Sequence, residues 1–172
     1  MNWSAITGIS SAVIALCALV FSIWQGKQTQ KHNKLSFLPH LTTWTQSDPE
    51  KGLYTAELMN NGTGPAVIES YSIMVDGKRM PGDRDQIENA LKIILPQPLY
   101  PSYTARHSYL GKDASLSPKE RFTIVSIQFH DPFQKEFVEK ALDRADLEIS
   151  YKSFYEEKFH FSSREEKSSK RP

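Results

Sequence analysis

The chain opens on an apolar run and turns to strand-like alternation only afterwards. From Trp3 to Trp24 every residue is apolar or small and polar, and no Asp, Glu, Lys or Arg occurs from Met1 to Gly26. Crossing a hydrocarbon core of ~30 Å takes about 20 helical residues at 1.5 Å each, which this run supplies. Trp3 and Trp24 stand ~31 Å apart along such a helix, the spacing of aromatic anchors at two interfaces. The pattern predicts a transmembrane helix over residues 1–26. A cleaved signal peptide would need a basic start and a small-residue cleavage site. No basic side chain precedes Trp3, and Ser22-Ile23-Trp24-Gln25 is a poor cleavage sequence. A helix of a soluble core normally carries a polar stripe, and no charged residue marks one here.

Residues 27–34 read as a basic juxtamembrane linker, and extended segments follow. Leu35 to Gln46 is the first, with Pro39 marking an edge or a strand start. Leu53 to Met59 and Ala66 to Val75 are rich in β-branched and aromatic residues with partial alternation. Asp76-Gly77 is a turn that joins antiparallel strands. Tyr103 to Leu110, Phe122 to Phe129, Asp146 to Lys152 and Lys158 to Phe161 complete the set. About seven short strands separated by turns predict a mainly β fold, an immunoglobulin-like sandwich over residues 35–161. Two stretches carry helical spacing instead. Ile87, Ala90, Leu91, Ile94 and Leu95 line one face of Arg84 to Leu95, with Asp83 placed to cap it and Pro96 and Pro98 to stop it. Phe133 to Asp143 repeats the pattern behind Pro132, which suits a first helical turn. Residues 162–172 are charged and serine-rich and read as a disordered tail.

The most informative short motif is Asn60-Asn61-Gly62-Thr63-Gly64-Pro65-Ala66, between two apparent strands. Glycine supplies positive φ, Asn tolerates it, and Pro65 fixes the exit into the next strand. A phosphate loop would need a Lys-Ser/Thr pair after the glycines and then a helix, whereas Ala66-Val67-Ile68 starts a strand. Asn61-Gly62-Thr63 fits a glycosylation acceptor, which matters only in a secreted eukaryotic protein. Asn60, Gly62, Gly64 and Pro65 are therefore structural turn residues. With the apolar helix, Pro39-His40-Leu41 and a late Ile149-x-Tyr151-x-Ser153 strand, this turn resembles a group of small bacterial proteins. Those are single-span, membrane-anchored β-sandwiches, mostly without an assigned function. The resemblance implies an architecture and carries no catalytic residues. The stretch from Pro81 to Ser102 departs from the compact form of that group.

Composition narrows the function. At 172 residues, with 39% hydrophobic and 24% charged, the chain has the make-up of one folded domain. Lys and Arg number 21 against 20 Asp and Glu, a net charge of +1 that lacks the basic excess of a dedicated nucleic-acid binder. The one cysteine, Cys17, excludes an internal disulfide framework and a multi-cysteine zinc site. Lys27, Lys31 and Lys34 follow the span directly, and no acidic residue appears before Asp48. By the positive-inside tendency, the soluble part faces the cytoplasm at a bacterial inner membrane and the N-terminus lies outside. The same lysines can meet anionic headgroups, and Trp3, Trp24, Lys27, Lys31 and Lys34 together form the membrane anchor. Small residues recur every fourth position at Ser4, Gly8 and Ala12 and at Ala18, Ser22 and Gly26, a spacing that admits homo-oligomers through the helix.

A search for chemistry finds no assembled site. The five histidines show no H-E-x-x-H or other close ligand spacing, and no serine sits in a G-x-S-x-G elbow. Neither a catalytic residue, a metal nor a cofactor is implied. Two surfaces suit binding. Tyr100, Tyr103 and Tyr109 with Arg106 and His107 are the residue types favoured at interface hot spots. The strands Leu147–Tyr151 and Lys158–Phe161 can leave an edge for strand addition, with Lys158 and the tail guarding it. The sequence thus predicts a membrane-anchored, non-enzymatic binding or scaffold module, an accessory or sensor subunit that holds a protein partner at the bilayer. The alternatives are an envelope-facing adhesin or assembly domain, and a membrane-acting effector or immunity protein whose helix oligomerises.

Overall fold

The computed structural model describes residues 3–96, 101–130 and 135–169. It divides into two compact units, Met1–Ser36 and Phe37–Pro172. The first is a single helix, α1 (Trp3–Ser36). It is long and apolar enough over Ile6–Ser36 to cross a membrane, and none of its apolar window is buried by protein. Thr7 Oγ1 donates to Trp3 O and Ser22 Oγ to Ala18 O, each at 2.8 Å, so these hydroxyls are satisfied inside the helix. The helix does not stop at Gly26. Residues 27–34, expected as a linker, continue it, and Leu35, expected in a strand, is still helical. Lys and Gln are good helix formers, and extending an existing helix avoids the cost of nucleation. The helix ends ahead of Pro39, whose ring disfavours the helical conformation in the residue before it.

The second unit holds two antiparallel sheets. The strands are β1 (Leu41–Asp48), β2 (Leu53–Asn60), β3 (Ala66–Val75), β4 (Lys78–Arg79), β5 (Tyr103–His107), β6 (Ser115–Leu116), β7 (Arg121–Phe129), β8 (Ala145–Lys152) and β9 (Lys158–Ser162). One sheet runs β1-β2-β7-β5; the other runs β4-β3-β8-β9, with β6 paired to β3. Alternation along the strands points one face of each sheet into a common buried cluster. Leu58, Ile127 and Phe129 enter it from the first sheet, and Ile68, Tyr71, Ile149 and Tyr151 from the second. Ile68 and Tyr71 lie three apart yet are both buried, because the register slips between Ile68 and Ser70 and Glu69 becomes the extra residue. Asp76 (φ 50°) and Gly77 (φ 78°) form the two-residue loop that pairs Val75 with Lys78, the turn that suits the twist of a hairpin. Arg144 holds both carboxylate oxygens of Asp76, at 3.1 and 2.5 Å, and keeps that acid below its usual range.

Three helices accompany the sheets: α2 (Gln86–Ile94), α3 (Lys135–Leu142) and α4 (Ser163–Ser169). With α1, they make the content mixed rather than mainly β. The two-residue strands β4 and β6 are too short to show alternation, which is why the sequence pattern missed them. The first turn of α2 starts later than expected. Asp85 occupies the N-cap position without a side-chain cap bond, so Asp83 does not cap it. Pro132 and Phe133, expected at the start of α3, lie outside the described residues.

The clearest departure is α4, where a disordered tail was expected. Tertiary hydrogen bonds order this charged segment. Ser163 is buried and its Oγ accepts from Leu147 N–H at 2.8 Å. Glu166 Oε2 accepts from Thr43 N–H at 3.0 Å and Thr43 Oγ1 at 2.7 Å. Lys167 Nζ donates to Ala145 O at 2.9 Å and Asp143 O at 3.2 Å. Truncation after Ser162 would strand the buried Leu147 N–H, a loss of about 1–3 kcal/mol. Thermal unfolding of the full chain in lipid nanodiscs should show the truncated form melting several degrees lower. Equal melting would mean that α4 contributes nothing to the fold.

Candidate functional site

The Asn60–Pro65 turn carries the chain from the first sheet to the second. Asn60 is fully buried, and its side chain is saturated. Its Oδ1 accepts from His40 N–H at 3.1 Å and Gly62 N–H at 3.0 Å. Its Nδ2 donates to Gly64 O at 2.8 Å and Leu116 O at 3.0 Å. The expected reason for the glycines was positive φ, but the positive-φ glycines here are Gly52, Gly77 and Gly82. Gly62 and Gly64 are needed for close approach instead. A Cβ at Gly62 would meet Leu38 O and lie 2.7 Å from the Pro39 carbonyl carbon; one at Gly64 would meet Phe37 O. These neighbours are backbone and cannot swing aside. Pro65 leads directly into β3.

Trp3, Trp24, Lys27, Lys31 and Lys34 all lie on α1, the lysines at a spacing of four and three that places them on one helix face. Among the described residues, the predicted tyrosine and arginine cluster is divided between faces. Tyr100 lies outside the described residues. Tyr103 is half-buried against Phe129, with ring centroids 5.9 Å apart, while Arg106 falls on the opposite face of β5 and His107 is exposed. Tyr109 reaches the other sheet and meets Tyr71 edge-on at 6.1 Å. His130 Nε2 is within 2.9 Å of Thr104 Oγ1 at the start of β5, and Asp131 lies outside the described residues. Among the described residues, no three His, Cys, Asp or Glu side chains gather as a metal site. The strand pair expected to leave an edge does so at β9, which pairs only with β8, while Glu166 of the tail helix α4 bonds Thr43 of β1.

A cavity of about 420 Å³ opens between the sheets, in the half away from the Asn60 turn. Its walls are β1, β2, β3, β7 and β8, closed by α2, α3 and α4. Two of those helices are fixed to open strand edges by side chains. Gln86 of α2 is buried, and its Oε1 accepts from Ile73 N–H at 2.8 Å; Glu166 of α4 does the same for Thr43. Tyr54 of β2 lines the space and is only 9% exposed. Burial first, and then the nearby Asp143 and Glu139, push its phenol up to about 12. Sequence reasoning missed this cavity. The apolar face of α2 was its one signal, since a face that wide must cover something.

Two predictions follow from these sites. Gly62→Ala and Gly64→Ala should each cost about 1–3 kcal/mol by overpacking. Thr63→Ala should be near neutral, because its hydroxyl is exposed and sits 3.4 Å from Leu38 O. Denaturant unfolding checks both, and neutral glycine variants would contradict the close-approach reading. A tyrosine whose folded value lies above its unfolded value near 10 stabilises below pH 10, and that gain fades as pH rises toward 12. Tyr54→Phe should therefore flatten the alkaline fall of stability by about 1.4 kcal/mol per pH unit in that window. A residual slope should remain from Tyr71, which burial also raises. An unchanged slope would place Tyr54 in water.

No family model matches the chain, and no curated protein matches it.

Proposed function

We propose that the chain is a membrane-anchored, non-enzymatic binding or scaffold module, an accessory or sensor subunit that holds a protein partner at the bacterial inner membrane. One observation carries this reading. Along α1, Ile9, Ile14, Leu16, Val20 and Ile23 are each 55–69% exposed, and no protein surface covers the apolar window. Such a helix is unfavourable in water and favourable in hydrocarbon, where its backbone groups are satisfied internally. Lys27, Lys31 and Lys34 on the continuing helix favour the cytoplasm for the second unit. The two antiparallel sheets with a common buried cluster suit an immunoglobulin-like sandwich, a scaffold that presents loops and edges to partners.

Topology reporters test it. A C-terminal alkaline phosphatase fusion should be inactive and a fluorescent-protein fusion bright. Strong phosphatase activity would reverse the orientation and favour the envelope-facing alternative. Release of the chain from membranes by alkaline carbonate would remove the anchor altogether.

A further inference from the structure

We propose that the inter-sheet cavity is a binding site for a small, uncharged and mainly apolar molecule that carries one hydrogen-bond acceptor. The inference stands on the second unit alone and does not need the membrane reading.

The volume of about 420 Å³ falls within the ~300–1,000 Å³ range of small-molecule pockets. Ile73, Ile87, Leu91, Ile94, Ile124 and Leu147 supply most of the wall, and such a lining favours an apolar body over water. The polar groups at the rim are already engaged with the protein. Ser163 Oγ accepts from Leu147 N–H, Glu166 from Thr43, and Lys167 donates to Ala145 O and Asp143 O. Tyr54 also lines the cavity, at 9% exposure, and brings a phenol hydroxyl to its wall. A phenol that is neutral at pH 7 can donate to an acceptor on a bound molecule, such as a ketone, ether, ester or amide oxygen.

Charge sets the remaining selectivity. The lining includes the carboxylates Glu139, Asp143, Asp146 and Glu166 against the single ammonium of Lys167. Two of those acids act on Tyr54 itself, since Asp143 and Glu139 both raise its phenol. An anionic ligand would meet like charge beside the very donor it needs, so fatty-acid-like carboxylates and phosphates are disfavoured. A neutral molecule of the same shape is not.

Methyl NMR of the full chain in lipid nanodiscs, with labelled isoleucine, tests this directly. The probes are butyrophenone (a neutral ketone), 4-phenylbutyrate (an anion) and butylbenzene (a hydrocarbon). Butyrophenone should shift the methyls of Ile73, Ile87, Ile94 and Ile124 and leave the buried Ile68 and Ile149 in place. 4-Phenylbutyrate should bind at least tenfold more weakly. Ala90→Leu, which fills the space, should abolish the shifts. Tyr54→Phe should weaken butyrophenone roughly two- to tenfold, the worth of one hydrogen bond, and leave butylbenzene unchanged. If Ala90→Leu fails to fold, the Tyr54→Phe comparison still decides. Absence of shifts at saturating butyrophenone, equal shifts at Ile68 and Ile149, or equal affinity for the anion would overturn the proposal.

Discussion

The second unit is organised around one buried amide. Asn60 ends β2, and its side chain reaches His40 ahead of β1, Gly62 and Gly64 in the turn, and Leu116 in β6. Its backbone extends the same reach, with N–H donating to Glu120 O at 3.1 Å and C=O accepting from Lys119 at 2.8 Å. All of this happens where the chain leaves one sheet for the other. A buried amide with every donor and acceptor used is stable; the same amide with one partner missing carries the desolvation cost of what is left unpaired. The glycines follow from that arrangement. Phe37 to Pro39 must pass against the turn to reach Asn60, and any Cβ at Gly62 or Gly64 would hold them apart.

At the other half of the unit the organising problem is different. β1 and β3 would present unpaired N–H groups there, and the answer is a helix side chain in place of a strand. Gln86 serves Ile73 and Glu166 serves Thr43. Of the helices bonded in this way, α2 packs its apolar face into the common core, and both close the apolar space that remains between the sheets. Edge protection and the cavity are thus two results of one device. That link connects the charged C-terminal residues, which look dispensable in sequence, to the candidate ligand site.

What could be read in advance follows physical range. Strand β3 was legible to the residue, Ala66 to Val75, because its side chains alternate across two faces, and the Asp76-Gly77 turn because two adjacent positive-φ positions have few chemical solutions. The apolar run of α1 was legible from length alone. Its polar continuation to Ser36 was not, since Lys and Gln suit a helix and a linker equally. The tail's charged, serine-rich composition hides its helix, because the bonds of Ser163, Glu166 and Lys167 that order α4 are made to residues distant in sequence. The need for Gly62 and Gly64 was visible, but its cause was not. Close approach of Phe37 to Pro39 is a tertiary fact, and local sequence offers only positive φ as an explanation. The cavity is more remote still, because Tyr54, Gln86 and Glu166 are separated in sequence and only the fold brings their elements together.

Hydrogen exchange of the full chain in lipid nanodiscs, comparing the parent with Asn60→Ala, examines the central claim in one measurement. That claim is a self-contained β unit pinned at Asn60 and carried by a helix that lies in lipid. In the parent, amides from Ile6 to Trp24 should be strongly protected. In Asn60→Ala, exchange should accelerate together across β1, β2, β3 and β6, with the Ile6–Trp24 amides unchanged. Acceleration confined to residues 60–64 would show that the rest of the unit does not depend on Asn60. Free exchange along Ile6 to Trp24 in the parent would show that the helix is not held in the bilayer.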